Sequence, residues 1–234
     1  MAQRAVAAGD WGVNSRIDSP DTRADEQIRT VLDREELIGF VVVAGAGSGK
    51  TTSLIKALHH VVTSRGEELR ARSQRVACIT YTEVAAQEIH AEVGSSPLAA
   101  VSTIHSFLWS VARPFQRDIK RWVEAKVRAK ITALETKQAS YPAKTKQTTK
   151  DKDIASLAKL RTQEAALPRV SNFVYNVGSD YANGVLGHSD VIQLVPELIV
   201  GRPLLTQLVA SQFPFIFVDE SQDTLGPVLA LRRA

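Results

Sequence analysis

A single cysteine, Cys78, excludes any disulfide framework or thiolate-rich metal site within the 234 residues. It sits inside the apolar run RVACIT, where packing in a core is the expected role, and the lone thiol suits a reducing compartment. Long hydrophobic runs are also missing. Nowhere do 18 apolar residues follow one another, so no membrane span is expected. The opening MAQRAVAAGDWGVNSRIDSPDTRAD has no apolar stretch of signal-peptide length, which points to a soluble, cytoplasmic protein with a loose polar arm over residues 1–24. No fixed-period repeat is found, which removes solenoid architectures. What remains is enough chain for one large domain or two small ones, with a core that needs no covalent staples.

The net charge of +4 is modest, but its placement is uneven. Between Arg113 and Lys152 twelve Lys or Arg face four Asp or Glu, a surplus of eight that leaves the rest of the chain at about −4. A basic face this concentrated can hold nucleic-acid phosphates, whose neutralisation releases counterions.

The order of elements is that of an α/β layer. FVVVA (Phe40 to Ala44) is predicted as a buried parallel strand, followed by a glycine-rich loop and a helix from about Lys50 carrying Leu54, Ala57, Leu58 and Val61 on one side. RVACITYT is predicted as a second strand with TEVAAQEIHAEV as its helix, and AAVSTIHSFLWSVA as a third strand running into a helix. Phe107 and Trp109 of that helix read as core, although a base can stack on an aromatic ring. FPFIFVDESQDT is a last strand ending in acids. Between them, roughly Arg113 to Val209, no buried strand is expected. There a basic amphipathic helix carries Ile119, Trp122, Val123, Lys126 and Val127, the YPAKTKQTTKDKD loop follows, and helices resume from about Ile154. The domain plan is thus an arm (1–24), the first part of a core (25–112), an inserted helical basic subdomain (113–209) and a return to the core (210–234).

AGAGSGKTT, Ala44 to Thr52, fits the phosphate-loop pattern with Ala44 in place of the first glycine. Gly45, Gly47 and Gly49 give the backbone the freedom to aim its N–H groups at an anion, with Ala46 and Ser48 small enough to fit between them, and the helix start adds its dipole. Lys50 is expected to reach the β- and γ-phosphates of a nucleoside triphosphate, and the Thr51 hydroxyl to help hold Mg2+. In FIFVDE, Asp219 is expected beside the metal and Glu220 where it takes a proton from attacking water. Kinases, transporters and motors share these features, so the remaining segments must choose among them.

AGAGSGKTT, ITYTEVAAQEI, VSTIHSFLWS and FIFVDESQDT, in that order, resemble the motifs of superfamily 1 DNA helicases of the UvrD/Rep/PcrA type, over about Asp25 to Thr224. The resemblance implies a RecA-like P-loop NTPase core with a parallel sheet covered by helices on both faces, ATP and Mg2+ as cofactors, and 3′-to-5′ movement along single-stranded DNA from 3′ overhangs. It implies DNA contacts at Tyr81, Thr82, Thr103, His105 and Ser106. Glu83 and Val84 stand where the family has Asn-Lys, and Ile104 fills an aromatic slot. Gln222 matches the glutamine that links the γ-phosphate site to the DNA channel, Gln27 resembles the glutamine that reads adenine, and the segment near Asp190 resembles the one returning the insert to the core.

The same resemblance implies a second RecA-like domain, with arginines that complete the ATP site, and in some relatives a nuclease partner. The sequence ends 11 residues after Asp223, and Arg232 and Arg233 match no family position. The expectation is therefore the N-terminal portion of a helicase with its core incomplete at the C-terminus, one that binds nucleotide weakly, turns it over slowly and does not unwind DNA. The alternative is a non-motor remnant that binds nucleic acid or a partner.

Overall fold

The computed structural model describes residues 16–219 apart from Leu37, Ala44, Ala46 and Ser95. Helices α1 (Arg23–Leu32), α2 (Lys50–Ser64) and α3 (Gly66–Ala71) precede strand β1 (Val76–Thr80), and α4 (Glu83–Val93), β2 (Ala99–Thr103) and α5 (Ile104–Ala112) follow it. Next come α6 (Gln116–Ala139), α7 (Gln147–Ala166), β3 (Val174–Tyr175), β4 (Val185–Leu186), α8 (His188–Gly201), α9 (Pro203–Gln212) and β5 (Phe215–Val218). Two compact units emerge, one drawn from Met1–Phe107 and Arg202–Ala234, the other from Leu108–Gly201.

The first unit is a mixed α/β structure around a three-stranded sheet of order β2-β1-β5 with both pairings parallel. All five residues of β1, VACIT, are buried. A parallel strand covered on both faces needs such an unbroken apolar run rather than an alternating one. The register sets Thr80 opposite Thr103 and Ile79 opposite Val218, so the carboxyl ends of the three strands lie together. Ile55, Leu58, Val61 and Val62 of α2 pack into the same core as Val76, Cys78, Ile89 and Phe215. Fully burying a side chain of this kind stabilises by about 2 kcal/mol. The stripe on α2 therefore outweighs the roughly 1 kcal/mol that a missing N-terminal side-chain cap costs.

The first predicted strand is corrected by the structure. Residues 38–43 carry no regular structure, and Val41 and Val43 are 66% and 92% exposed; Ala44 lies outside the described residues. Three consecutive β-branched residues favour extended backbone, but a strand also needs a hydrogen-bonding edge at about 4.8 Å. Here the segment and β5 line a common cavity instead of pairing.

The second unit pairs α6 with α7 and adds the two-residue parallel pair β3 and β4. Ile119, Val123, Val127 and Ile131 form the buried stripe of α6. Lys126 is drawn to the edge of that stripe by Asp190, itself 1% exposed, whose Oδ1 accepts from Lys126 Nζ and the Tyr181 hydroxyl at 2.7 Å each. Asp190 Oδ2 accepts from Ser179 and, at 3.0 Å, from the Gly187 N–H. Helix α7 starts at Gln147, earlier than the expected Ile154. The charges that read as a loop are satisfied within its first turns: Gln147 donates to Asp151 at 2.9 Å, and Asp153 takes Tyr141 and Lys137 at 2.6 Å. Among the described residues no helix is long and apolar enough to cross a membrane.

Burial pushes the Asp190 carboxyl up, but bonds from Lys126, Ser179, Gly187 and Tyr181 outweigh it and hold it below the ordinary carboxylate range. A carboxyl lowered by folding stabilises above its unfolded value of about 4, and that contribution is lost as pH falls through the native value. Urea unfolding at stepped pH should therefore show stability falling below about pH 4. Asp190→Asn should flatten that acid limb while costing on the order of 3 kcal/mol at neutral pH, because Lys126 loses its partner. Cys78 is fully buried, and burial together with the Asp219 charge pushes its thiol up to about 12. A disulfide reagent should leave it untouched in the native protein and titrate one thiol after denaturation.

Candidate functional site

The glycine loop leads into α2 without a side-chain cap: Gly49 holds the N-cap position at φ 81°, ψ 19°. Gly47 is also left-handed, at φ 74°. Both conformations favour glycine because a Cβ would crowd the following carbonyl. The Gly45 carbonyl gathers the Ser48 N–H at 3.4 Å, the Ser48 hydroxyl at 2.7 Å and Lys50 Nζ at 2.9 Å. A Cβ built at Gly45, Gly47 or Gly49 would meet nothing within 4 Å, so the loop surrounds open space. With the α2 N–H groups uncapped, that space is the kind of concavity that takes an anion. Thr51 and Thr52 are half-buried on the first turn of α2.

Asp219 follows β5 directly, and its N–H donates to the Ile79 carbonyl at 2.8 Å, which carries the β1 pairing one residue further. Lys50 and Asp219 line one cavity of about 340 Å³, together with Ile28, Leu32, Phe40 and Phe217. Side chains from α1, α2 and the end of β5, distant from one another along the sequence, thus share one space. Gln27 is exposed on α1 and does not line this cavity; its neighbour Ile28 does.

The other two strands end in the segments expected to meet DNA. Tyr81 is 49% exposed just beyond β1. Thr82 caps α4, its hydroxyl accepting from the Ala85 N–H at 3.2 Å, and Thr80 fixes the turn by donating to the Thr82 carbonyl at 2.9 Å. Thr103 is buried, and its hydroxyl is spent on α5: it donates to Ser106 Oγ at 3.1 Å and accepts the Ser106 N–H at 3.4 Å. His105 and Ser106, half-buried, are what this segment presents. Ala44, Ala46, Glu220 and Gln222 lie outside the described residues.

A profile of the UvrD/REP helicase N-terminal domain matches residues 25–227. The chain belongs to the UvrD/REP helicase family. It is similar to the Gabija protein GajB of Bacillus cereus (strain HuB5-5), with 24% identity over 91% of this chain and 40% of that protein. It is also similar to an ATP-dependent helicase/nuclease protein of Geobacillus kaustophilus (strain HTA426), with 32% identity over 32% of this chain and 8% of that protein. The chain therefore spans less than half the length of either relative.

Two features of this helicase domain escaped the sequence reading. Ser53 lines the cavity one turn after Lys50, a spacing that was there to be seen. Lys56 is buried and donates to the carbonyls of Ser19 and Pro20 at 2.7 and 2.9 Å and to Asp21 at 2.9 Å. It thereby ties residues expected in the loose arm to α2. The signal was the Thr22-x-x-Asp25 pair, a capping box that forms as such, with Asp25 buried 3.5 Å from Lys56. Burial pushes Asp25 up, yet Ser53, Thr22 and Lys56 together hold its carboxyl below the usual range.

Gly49→Ala should lower stability by about 1 kcal/mol in urea unfolding through its left-handed backbone. Gly39→Ala, with the same open space but no positive φ, should change it by less than half of that. Equal losses would show that backbone conformation does not set the loop.

Proposed function

We propose that this chain is the ATP- and single-stranded-DNA-binding N-terminal part of an ATP-dependent UvrD-like DNA helicase with a RecA-like core. The observation that carries the reading is the meeting of Lys50 and Asp219 on one cavity at the carboxyl ends of parallel strands, the edge where α/β folds bind ligands. The loop backbone and α2 start would hold the triphosphate, and Lys50 would exchange its bond to the Gly45 carbonyl for phosphate oxygens. Mg2+, when bound, supplies positive charge against those oxygens; the Thr51 hydroxyl and Asp219 carboxylate are the groups that would hold it. Glu220 is the proposed base toward water, and Gln222 the link from that site to the DNA segments. Gln27, Ser48 and Thr52 complete the proposed nucleotide contacts.

Tyr81, Thr82, His105 and Ser106 follow strands whose register brings their ends side by side, which supports a shared track for a single strand. Thr103, buried, acts by orienting Ser106. In the complete protein a second RecA-like domain closing on ATP would move DNA 3′ to 5′, in the cytoplasm. The name of the Geobacillus relative, which couples helicase with nuclease, supports a nuclease among the complete protein's partners.

The test is Mg-ATP binding and hydrolysis by the 234-residue chain with and without single-stranded DNA. Nucleotide binding should be weak but measurable by calorimetry and fall at least about tenfold in Lys50→Ala, with slow turnover. Binding that is identical in the variant would overturn the assignment of the loop.

A further inference from the structure

The second unit carries an aromatic cluster that has no part in the nucleotide site or the strand-end track. Trp109 on α5, Tyr175 on β3 and His188 at the start of α8 stand side by side. The Trp109 and Tyr175 ring centroids are 6.4 Å apart with planes tilted 35°, and those of Tyr175 and His188 are 5.4 Å apart at 59°. The Tyr175 hydroxyl and His188 Nδ1 are hydrogen-bonded, which fixes two of the three rings. Trp109 and Tyr175 are half-buried and His188 is exposed, whereas Phe107, two residues before Trp109, is sealed in a core. A core aromatic is closed over; these rings keep faces open to solvent.

The surroundings are cationic and rigid. Arg113 follows Trp109 by one helical turn, its N–H donating to the Trp109 carbonyl at 2.8 Å. Arg113 and Arg117 are exposed and make no ion pair among the described residues. Gln116 lies between them and holds the strand leading to Tyr175: Phe173 N–H donates to Gln116 Oε1 at 2.7 Å, and Gln116 Nε2 donates to the Arg113 carbonyl at 2.8 Å. The cations and the rings are therefore set by the same short network.

We propose that Trp109, Tyr175 and His188 form a stacking platform for one or two bases of single-stranded nucleic acid, with Arg113 and Arg117 neutralising the adjoining phosphates. Flat rings with open faces beside exposed guanidinium groups match a polyanion that carries flat bases, and stacking accepts any base. The inference rests on the single-strand reading of the proposed function, and the experiment separates the two.

Fluorescence anisotropy of the 234-residue chain would be measured with a labelled oligothymidylate and with an abasic strand of equal length and charge. The native protein should bind the base-bearing strand about tenfold more tightly, and Trp109→Leu should erase most of that preference while Trp109→Phe keeps it. Tyr175→Leu serves in the same role if Trp109→Leu has lost its helical circular dichroism. A base preference that survives both leucine variants overturns the platform. Equal binding of the two strands by the native protein also overturns it and leaves single-strand binding standing. Binding of neither strand overturns the single-strand reading, and the platform falls with it.

Discussion

The parallel pairing of β1 with β2 on one side and β5 on the other is the constraint from which the rest of the first unit follows. Because β1 is buried along its whole length, every backbone N–H and C=O in it must find a partner in a neighbouring strand. Parallel register then forces the three chains to leave the sheet at the same edge. Tyr81 and Thr82, Thr103 with Ser106, and Asp219 come from stretches separated by some 20 to 140 residues. They share an edge only because that ladder aligns them. The N–H of Asp219 on the Ile79 carbonyl carries the alignment beyond the last strand residue, to the aspartate that lines the cavity.

Each unit also contains a buried lysine and aspartate pair that fixes a junction packing alone would leave loose. Lys56 on α2 reaches the turn before α1 and lies against Asp25, and Lys126 on α6 reaches Asp190 on α8. Such pairs add little net stability over an apolar replacement, since the desolvation cost is large. Their geometry is demanding, however, and each is surrounded by hydrogen bonds that accept only one arrangement of the partners. In the second unit the cluster gathers Ser179, Tyr181 and Gly187 around one carboxylate, so the short β3 and β4 pair and the start of α8 are set together.

The glycine loop shows how stability and function are separated. Helix α2 forgoes a side-chain cap and begins on a left-handed glycine, yet its buried face holds it against the sheet. The uncapped N–H groups are thereby left for a ligand, and the cost is met by packing more than one turn away. Lys50 completes the arrangement by folding its ammonium onto the Gly45 carbonyl, at the mouth of the open space.

Local pattern determined much of this protein. Apolar runs located β1, β2 and β5, helical spacing located α2, α4 and α6, and the order of AGAGSGKTT and FIFVDE marked the loop and the acidic strand end, because each signal lies within a few residues. The inclusion of Lys126 in the α6 stripe was legible as spacing, but its reason, Asp190 some 60 residues on, was not. Tertiary structure alone decided that residues 38–43 stand apart from the sheet, that Thr103 turns inward, and that Gln27 misses the cavity which Ile28 lines. It also decided that Phe107 is sealed while Trp109 keeps an open face. Residue type and spacing report what a segment can bury, whereas which edge it meets and which atoms cover it depend on partners distant in the chain.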